Sequence, residues 1–265
     1  MDLSHLKVLV TGAGGTGVGA GICQALDQFG ATLIINDIDP DKAEKAAQGY
    51  THAIAIPADI SNREDLILLF DQIQAKVGPI NGLVNNAGIG LSKNTHEVEG
   101  PEFDRLYQVD VRAVWEVSKH FIQQLLDHNL SGNIVNISSV HAFASQPKYA
   151  IYASAKAAVE GLTRGMAYEY GKYNIRCNAI GPGMVQSEQN YDIIKTWTDD
   201  PEQWEREFVA DQQVLHHFIQ PIDCGYTAAF LLSELSRSIT GQTIYVDAGK
   251  TIMLFNKAFI EPKHT

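Results

Sequence analysis

Tyr152 and Lys156 stand four residues apart in Tyr152-Ala153-Ser154-Ala155-Lys156, inside a stretch whose pattern predicts a helix from Ile151 to about Tyr170. Residues at i and i+4 share a helix face, so the phenol and the ammonium can point into one site. A free phenol ionises near 10, too high for a good base at neutrality. A neighbouring ammonium favours the phenolate, and so would the positive ring of an oxidised nicotinamide. Such a pair can take the proton of an alcohol as a hydride leaves, or return it in the opposite direction. An interfacial tyrosine beside a surface lysine would show the same spacing, so the surrounding pattern has to decide.

That pattern begins with a glycine-rich turn. A predicted first strand, Lys7 to Thr11, runs into Gly12-Ala13-Gly14-Gly15-Thr16-Gly17-Val18-Gly19, and a helix follows over Val18 to Phe29. Glycines let the backbone approach a pyrophosphate closely, and the helix N-terminus offers free N–H groups and a positive dipole end. The place of the turn, between the first strand and the first helix, favours a dinucleotide over a plain tight turn. The second predicted strand, Thr32 to Asn36, ends at Asp37, 18 residues beyond Gly19. A carboxylate there can accept hydrogen bonds from the ribose 2′-OH of NAD and would repel the 2′-phosphate of NADP. No Arg or Lys flanks the glycine loop, and Ile38 follows Asp37. NAD is the expected cofactor; a turn or helix-capping aspartate in Asp37-Ile38-Asp39-Pro40 is the other reading.

The elements that must hold these groups alternate along the chain. A helix over about Pro40 to Gln48 carries proline near its start, where a missing N–H does least harm. His52 to Ile56 is a third strand. Leu66, Leu69, Phe70, Ile73 and Val77 share one face of a helix over Asn62 to Val77, which Gly78-Pro79 ends. Gly82 to Asn85 is a strand, and Gly100-Pro101 opens one long helix to about His128. Strands over Asn133 to Ile137 and Ile175 to Ile180 bracket the Tyr152 helix. Pro221 to Glu234 and Thr243 to Val246 supply a last helix and strand. Between them, 186–215 is irregular and polar, with Trp197 and Trp204, and could hold the short helices of a substrate-covering lid. Strict alternation implies right-handed crossovers and a parallel sheet covered on both faces. The expected fold is α/β: a single-domain, doubly wound Rossmann fold over 1–265, with a parallel seven-stranded sheet, helices on both faces and ligands beyond the carboxyl ends of the strands.

Composition narrows the function classes. The 265 residues, 45% hydrophobic and 19% charged, suit one sizeable soluble domain. A formal net charge of −11 argues against nucleic acid as a partner. Cys23, Cys177 and Cys224 form no CxxC pair and no metal-type spacing, so reduced thiols and no metal are expected. The N-terminus lacks a basic region followed by an apolar stretch, and no apolar run approaches the roughly 20 residues that span a bilayer. A cytoplasmic location without a membrane partner is the expectation.

Taken in order, these motifs resemble the short-chain dehydrogenase/reductase family over nearly the whole chain. The glycine loop is joined by Asn85-Asn86-Ala87-Gly88 after the fourth strand and Ser138-Ser139 after the fifth. Ser139 stands thirteen residues before Tyr152 of the YxxxK motif. Pro182-Gly183 follows the sixth strand, and Ile239-Thr240-Gly241-Gln242 and Val246-Asp247-Ala248-Gly249 mark the end. The resemblance implies Ser139 as the residue that orients the substrate oxygen, and Lys156 as a partner of the nicotinamide ribose. It implies that Asp59 and Ile60 meet the adenine and that Asn86, Ala87 and Gly88 line the adenine-ribose side. Gly12, Gly15, Thr16, Gly17 and Val18 would hold the pyrophosphate. Pro182, Gly183, Val185 and Ser187 would lie at the nicotinamide amide. A homo-oligomer, tetramer or dimer, built through the two long helices is implied as well.

Two departures from the family pattern stand out. Four residues separate Gly12 from Gly17 instead of three, which places an extra residue within Ala13 to Thr16. Asp110, in Gln108-Val109-Asp110-Val111, stands where the family has an asparagine that supports a helix bend and a proton relay to the lysine. Asp110 is retained as a fourth catalytic member. His141 is expected to face the substrate, since Ser138-Ser139-Val140-His141 is similar to the same segment of the family's bacterial glucose dehydrogenases. A histidine satisfied by nearby backbone is the equal alternative. Gln146, Lys148 and the Trp197/Trp204 segment are weaker candidates. The expected reaction joins a secondary alcohol and a ketone, or a lactol and a lactone, on a sugar, polyol or other small hydroxylated substrate. Two alternatives remain: a 3-oxoacyl-type carbonyl reductase, and a catalytically silent NAD-binding regulatory or scaffold protein.

Overall fold

The computed structural model describes residues 1–254; residues 255–265 of the expected domain lie outside the described residues. Seven strands, β1 (Lys7–Val10), β2 (Thr32–Ile35), β3 (Ala53–Ala55), β4 (Gly82–Asn85), β5 (Gly132–Ile137), β6 (Ile175–Pro182) and β7 (Thr243–Val246), form one sheet in the order β3-β2-β1-β4-β5-β6-β7. Every neighbouring pair is parallel. The order reverses between β1 and β4, and a crevice opens beyond strand ends at such a switch.

Alternation along the strands explains why both faces are covered. In β1, Val8 and Val10 point into one apolar layer and Leu9 into the other. Against the first layer pack α1 (Val18–Gln28) and α9 (Pro221–Leu232), through Ile22, Leu26, Ala228 and Leu232. Against the second pack α3 (Arg63–Lys76), α5 (Ala113–Asp127) and α6 (Ala150–Tyr170), through Leu66, Leu69, Val117, Phe121 and Met166. Each fully buried Leu, Ile or Phe contributes about 1.5–3 kcal/mol, which makes these two layers the main source of stability. The α1–α9 crossing is close at Gly21 and Gly225, where a Cβ would meet the facing helix backbone.

Local chemistry fixes the helix starts. Asn62 accepts from Glu64 and Asp65 N–H at the head of α3, and Asp39 from Asp41 and Lys42 N–H at the head of α2 (Pro40–Ala47). The expected long helix from Pro101 to His128 is not continuous. It divides into α4 (Gly100–Tyr107), a π-helical turn over Gln108–Arg112, and α5. The stretch read as irregular holds two helices, α7 (Glu188–Lys195) and α8 (Pro201–Gln212), each capped by a polar side chain, Ser187 and Asp200. Short helices are what the sequence allows there, and α8 has no fully buried residue to mark its bounds.

Candidate active site

β5 ends at Ile137, and Ser138-Ser139 carry the chain over the carboxyl edge of the sheet. Ser139 is buried in extended backbone, and its Oγ accepts from His141 N–H at 3.2 Å. Tyr152 and Lys156 lie on the first two turns of α6, as their spacing requires. Lys156 is buried, with Nζ 5.6 Å from the centroid of the Tyr152 ring and 3.3 Å from Ile137 O, to which it donates. The π-helical turn places Asp110, fully buried, on the other side of this ammonium. Asp110 Oδ1 accepts from Ile89 N–H at 2.8 Å, and Oδ2 lies 3.0 Å from Lys156 Nζ. That pair is held by charge and distance rather than by an aligned hydrogen bond. Burial pushes the Lys156 ammonium down, but Tyr152 and Asp110 outweigh it, and its pKa is raised above the ordinary lysine value. Lysine is therefore a fixed positive charge set between a phenol and a carboxylate.

A cleft of about 1040 Å³ runs along the strand ends at the β1/β4 switch. Of the residues expected to meet the cofactor, Gly12, Gly15, Thr16, Gly17, Val18, Asp37, Ile38, Asp59, Ile60, Asn86, Ala87, Gly88 and Ser187 line it. Gly12 takes φ +62°, and a Cβ there would meet Ala87 Cα at 2.7 Å. Asn86 Nδ2 braces the turn by donating to Thr11 O and Gly12 O, both at 2.9 Å. Gly17 is the N-cap of α1. No side chain caps that helix, so its first N–H groups remain for a ligand. A Cβ on Gly15 would meet nothing within 4 Å, which leaves the crest of the loop open. Volume, glycine floor and uncapped helix end together fit a dinucleotide.

Asp37 takes the turn role of its two expected readings, with both carboxylate oxygens accepting from backbone. One oxygen accepts from Asp39 N–H at 3.1 Å and the other from Gly14 N–H at 2.9 Å, so it shapes the turn and sits against the glycine loop. The expectation that no basic side chain stands near the loop needs correcting. Lys42, Lys45 and Arg105 line the same cleft, brought there by α2 and α4, although none neighbours the loop in sequence. Lys42 Nζ stands 3.6 Å from Asp39.

Pro182, Gly183 and Val185 do not line this cleft, and neither do Tyr152 and Lys156, which were expected to meet the cofactor as well. Gly183 N–H donates to Val246 O, and Val185 packs with Ile219 and Cys224 in a small apolar cluster. Ser187 Oγ caps α7 by accepting from Asn190 N–H at 3.1 Å.

The His141 ring stacks on Tyr149 at 4.7 Å and meets Tyr152 edge-on at 5.8 Å. Its Nδ1 is buried without a hydrogen-bond partner. Burial, with the charge of Lys250 added, lowers the His141 pKa. Trp197, just past the end of α7, and Trp204 and Phe208 on α8 make a continuous aromatic run, with centroids 5.4 and 5.1 Å apart. Gln146 and Lys148 are exposed, and Lys148 O accepts from Lys93 N–H. Lys250 was not singled out from the sequence; its one signal is a lone cation just past Val246-Asp247-Ala248-Gly249. The three cysteines are buried free thiols, all pushed up to about 12, chiefly by burial.

Residues 12–251 match the family model described as enoyl-(acyl carrier protein) reductase. Glucose 1-dehydrogenase 2 of Bacillus subtilis is 28% identical, over 95% of this chain and 96% of its own length. 2-(S)-Hydroxypropyl-CoM dehydrogenase 3 of Xanthobacter autotrophicus is 32% identical, over 94% of this chain and 98% of its own. The crystal structure of a gluconate 5-dehydrogenase from Burkholderia cenocepacia, in complex with NADP and tartrate, superposes with a TM-score of 0.84 at 28% identity, covering 96% of this chain and 98% of that one. The parallel sheet, the glycine-floored cleft and the ordered motifs agree with these matches, and the chain belongs to the short-chain dehydrogenase/reductase family: it is an oxidoreductase that uses a nicotinamide cofactor to interconvert alcohols and carbonyl compounds.

Proposed function

We propose that the protein is an NAD-dependent dehydrogenase of a small, hydroxylated substrate such as a sugar, a polyol or a sugar acid, with Tyr152 as its acid/base. The observation that carries this reading is the charge order Asp110–Lys156–Tyr152 at the carboxyl edge of β4 and β5. When bound, the nicotinamide ring accepts a hydride from the alcohol or returns one to the carbonyl. Tyr152 Oη takes up the alcohol proton as that happens and gives it back in reduction. Lys156 favours the phenolate by its charge. Ser139, buried beside the tyrosine's helix, would hold the substrate oxygen through Oγ. Asp110 acts through the lysine and is a positioning residue: it keeps the ammonium charged and fixed. That pairing disfavours the catalytically silent reading, because Asp110 completes the buried charge pair rather than breaking it.

Asp37 supports NAD. Its carboxylate stands at the cofactor cleft, where it would accept from ribose hydroxyls and repel a 2′-phosphate. Lys42 and Lys45 are the counterweight, and the Burkholderia relative was crystallised with NADP. A polar lid made of α7 and α8 would cover the substrate. Trp115 on α5 and Tyr168 on α6 are exposed, on the helices through which a second copy would pack. The test is NADH or NADPH formation over a panel of sugars, polyols and sugar acids. A kcat/KM at least tenfold higher with NAD is expected, and an equal value with NADP refutes the role given to Asp37. Absence of turnover with every alcohol, while the dinucleotide binds, refutes the dehydrogenase reading.

A further inference from the structure

Lys250 is held on a turn that two parts of the chain fix in place. Asp247, just after β7, accepts from Gly249 N–H at 2.9 Å through one oxygen. The other oxygen accepts from Thr251 N–H and Oγ1 at 2.8 and 2.7 Å. Ala248 and Gly249 take left-handed φ values of +52° and +82°. Ala248 O accepts from Val214 and Leu215 N–H at 2.9 and 3.0 Å, which fastens the end of the α7–α8 segment to this turn. A Cβ on Gly249 would press on Val214 at 2.7 Å, so the fit is close.

The ammonium at the end of this support has little to neutralise it. Lys250 Nζ lies 4.9 Å from the Phe208 ring centroid and 3.4 Å from Gln212 Oε1. Among the described residues it forms no ion pair. The oxygens of Asp247 are occupied by the turn itself. Lys250 is half-buried, and burial lowers its pKa against the opposing pull of Asp247. It does not line the cleft at the β1/β4 switch. Phe143, two residues past His141, packs on Tyr245 of β7 at 5.9 Å, so the turn that carries Lys250 leaves the sheet beside the His141 segment; the Lys250 charge adds to the lowering of that imidazole's pKa, and His141 meets Tyr152 edge-on. Nearby polar groups also lack partners. His141 Nδ1 is buried and unpaired, and Gln213, 1% exposed and next to Gln212, has both amide atoms unpaired. Unpaired buried polar atoms are costly, and a ligand that pairs with them recovers that cost.

We infer that Lys250 binds an anionic group, a carboxylate or a phosphate, carried by the hydroxylated substrate away from its reacting carbon, with His141 and Gln213 receiving hydroxyls along the way. This rests on the site assignment under Proposed function. A neutral imidazole beside a cation suits that arrangement, because it can bond a hydroxyl while leaving the anion to the ammonium.

Paired substrates test it with the full-length enzyme. D-Gluconate against D-glucitol isolates a carboxylate, and D-glucose 6-phosphate against D-glucose isolates a phosphate. The wild type is expected to favour the charged member of one pair by at least tenfold in kcat/KM, and the pair that responds names the anion. In Lys250→Met that preference is expected to fall at least tenfold, mostly through KM. Equal use of both members in both pairs, or a preference untouched by Lys250→Met, overturns the inference. If no alcohol is turned over, the dehydrogenase reading fails on its own, and anion binding is read directly from quenching of Trp197 and Trp204 fluorescence by D-gluconate and by inorganic phosphate. Saturable quenching at least tenfold weaker in Lys250→Met supports the anion site; identical curves for the two proteins overturn it.

Discussion

The cofactor side and the substrate side of this site are made of different material. The cofactor cleft is mostly main chain: a glycine floor, an uncapped helix end and a turn braced by Asn86 and Thr11. The proposed substrate side is mostly side chains, His141, Tyr149, Lys250 and the aromatic run of Trp197, Trp204 and Phe208, carried by segments far apart in sequence. Main-chain recognition tolerates few residue types, because left-handed φ and close approach admit little but glycine. Side-chain recognition tolerates many, so it can change substrate without changing the fold.

Mutations can break or sharpen that contrast. The largest effect is expected from Tyr152→Phe, which removes the acid/base while keeping the ring. Turnover should fall about 10³-fold, within the usual range for general acid/base catalysis. Dinucleotide affinity, measured by fluorescence, should change less than tenfold; an equal loss in both would mean that the two sides are not separable. Asp110→Ala leaves the Lys156 ammonium buried without its carboxylate, and urea denaturation should show a loss of about 3–5 kcal/mol. Asp110→Asn keeps an acceptor for Ile89 N–H and should lose less, while shifting the alkaline limb of the oxidation rate to lower pH.

Smaller effects follow on each side. Gly12→Ala forces a side chain into φ +62° against Ala87, and dinucleotide affinity should fall about 10- to 100-fold, equivalent to roughly 1–3 kcal/mol. An unchanged affinity would remove the main-chain account of the cofactor side. The smallest effect concerns His141. Its folded pKa is lowered, so the unfolded chain binds the proton more readily. Stability is then fully present above the ordinary histidine value of about 6.5 and is lost as pH falls through the folded value. Lys250→Met removes one cause of the lowering. It should raise the His141 titration midpoint, read by NMR, and reduce the drop in Tm between neutral pH and pH 5.

The same contrast decides what the sequence revealed. Strand alternation in Val8-Leu9-Val10, the glycine loop and the Tyr152/Lys156 spacing are local patterns with strong steric meaning, and the sheet and the Tyr152/Lys156 pairing follow from them. Lys42, Lys45 and Arg105 reach the cleft only through the packing of α2 and α4, which no local spacing encodes. Lys250 comes near His141 through the turn at Asp247, across more than a hundred residues of sequence. Asp110 was noticed as a departure, but its direct pairing with Lys156 depends on a helix irregularity that amphipathic periodicity does not register.

That irregularity has a consequence for how the chain can vary. A π-helical turn holds one residue more than the helix around it, and each helical residue adds about 100° of rotation. Deleting one residue from Gln108–Arg112 would let α4 and α5 fuse into a regular helix with its two halves still in phase. The apolar face of α5 would stay on the sheet, but the turn that presents the Asp110 carboxylate to Lys156 would be lost. At this point the number of residues matters as much as their identity, and substitutions should be accepted far more readily than insertions or deletions.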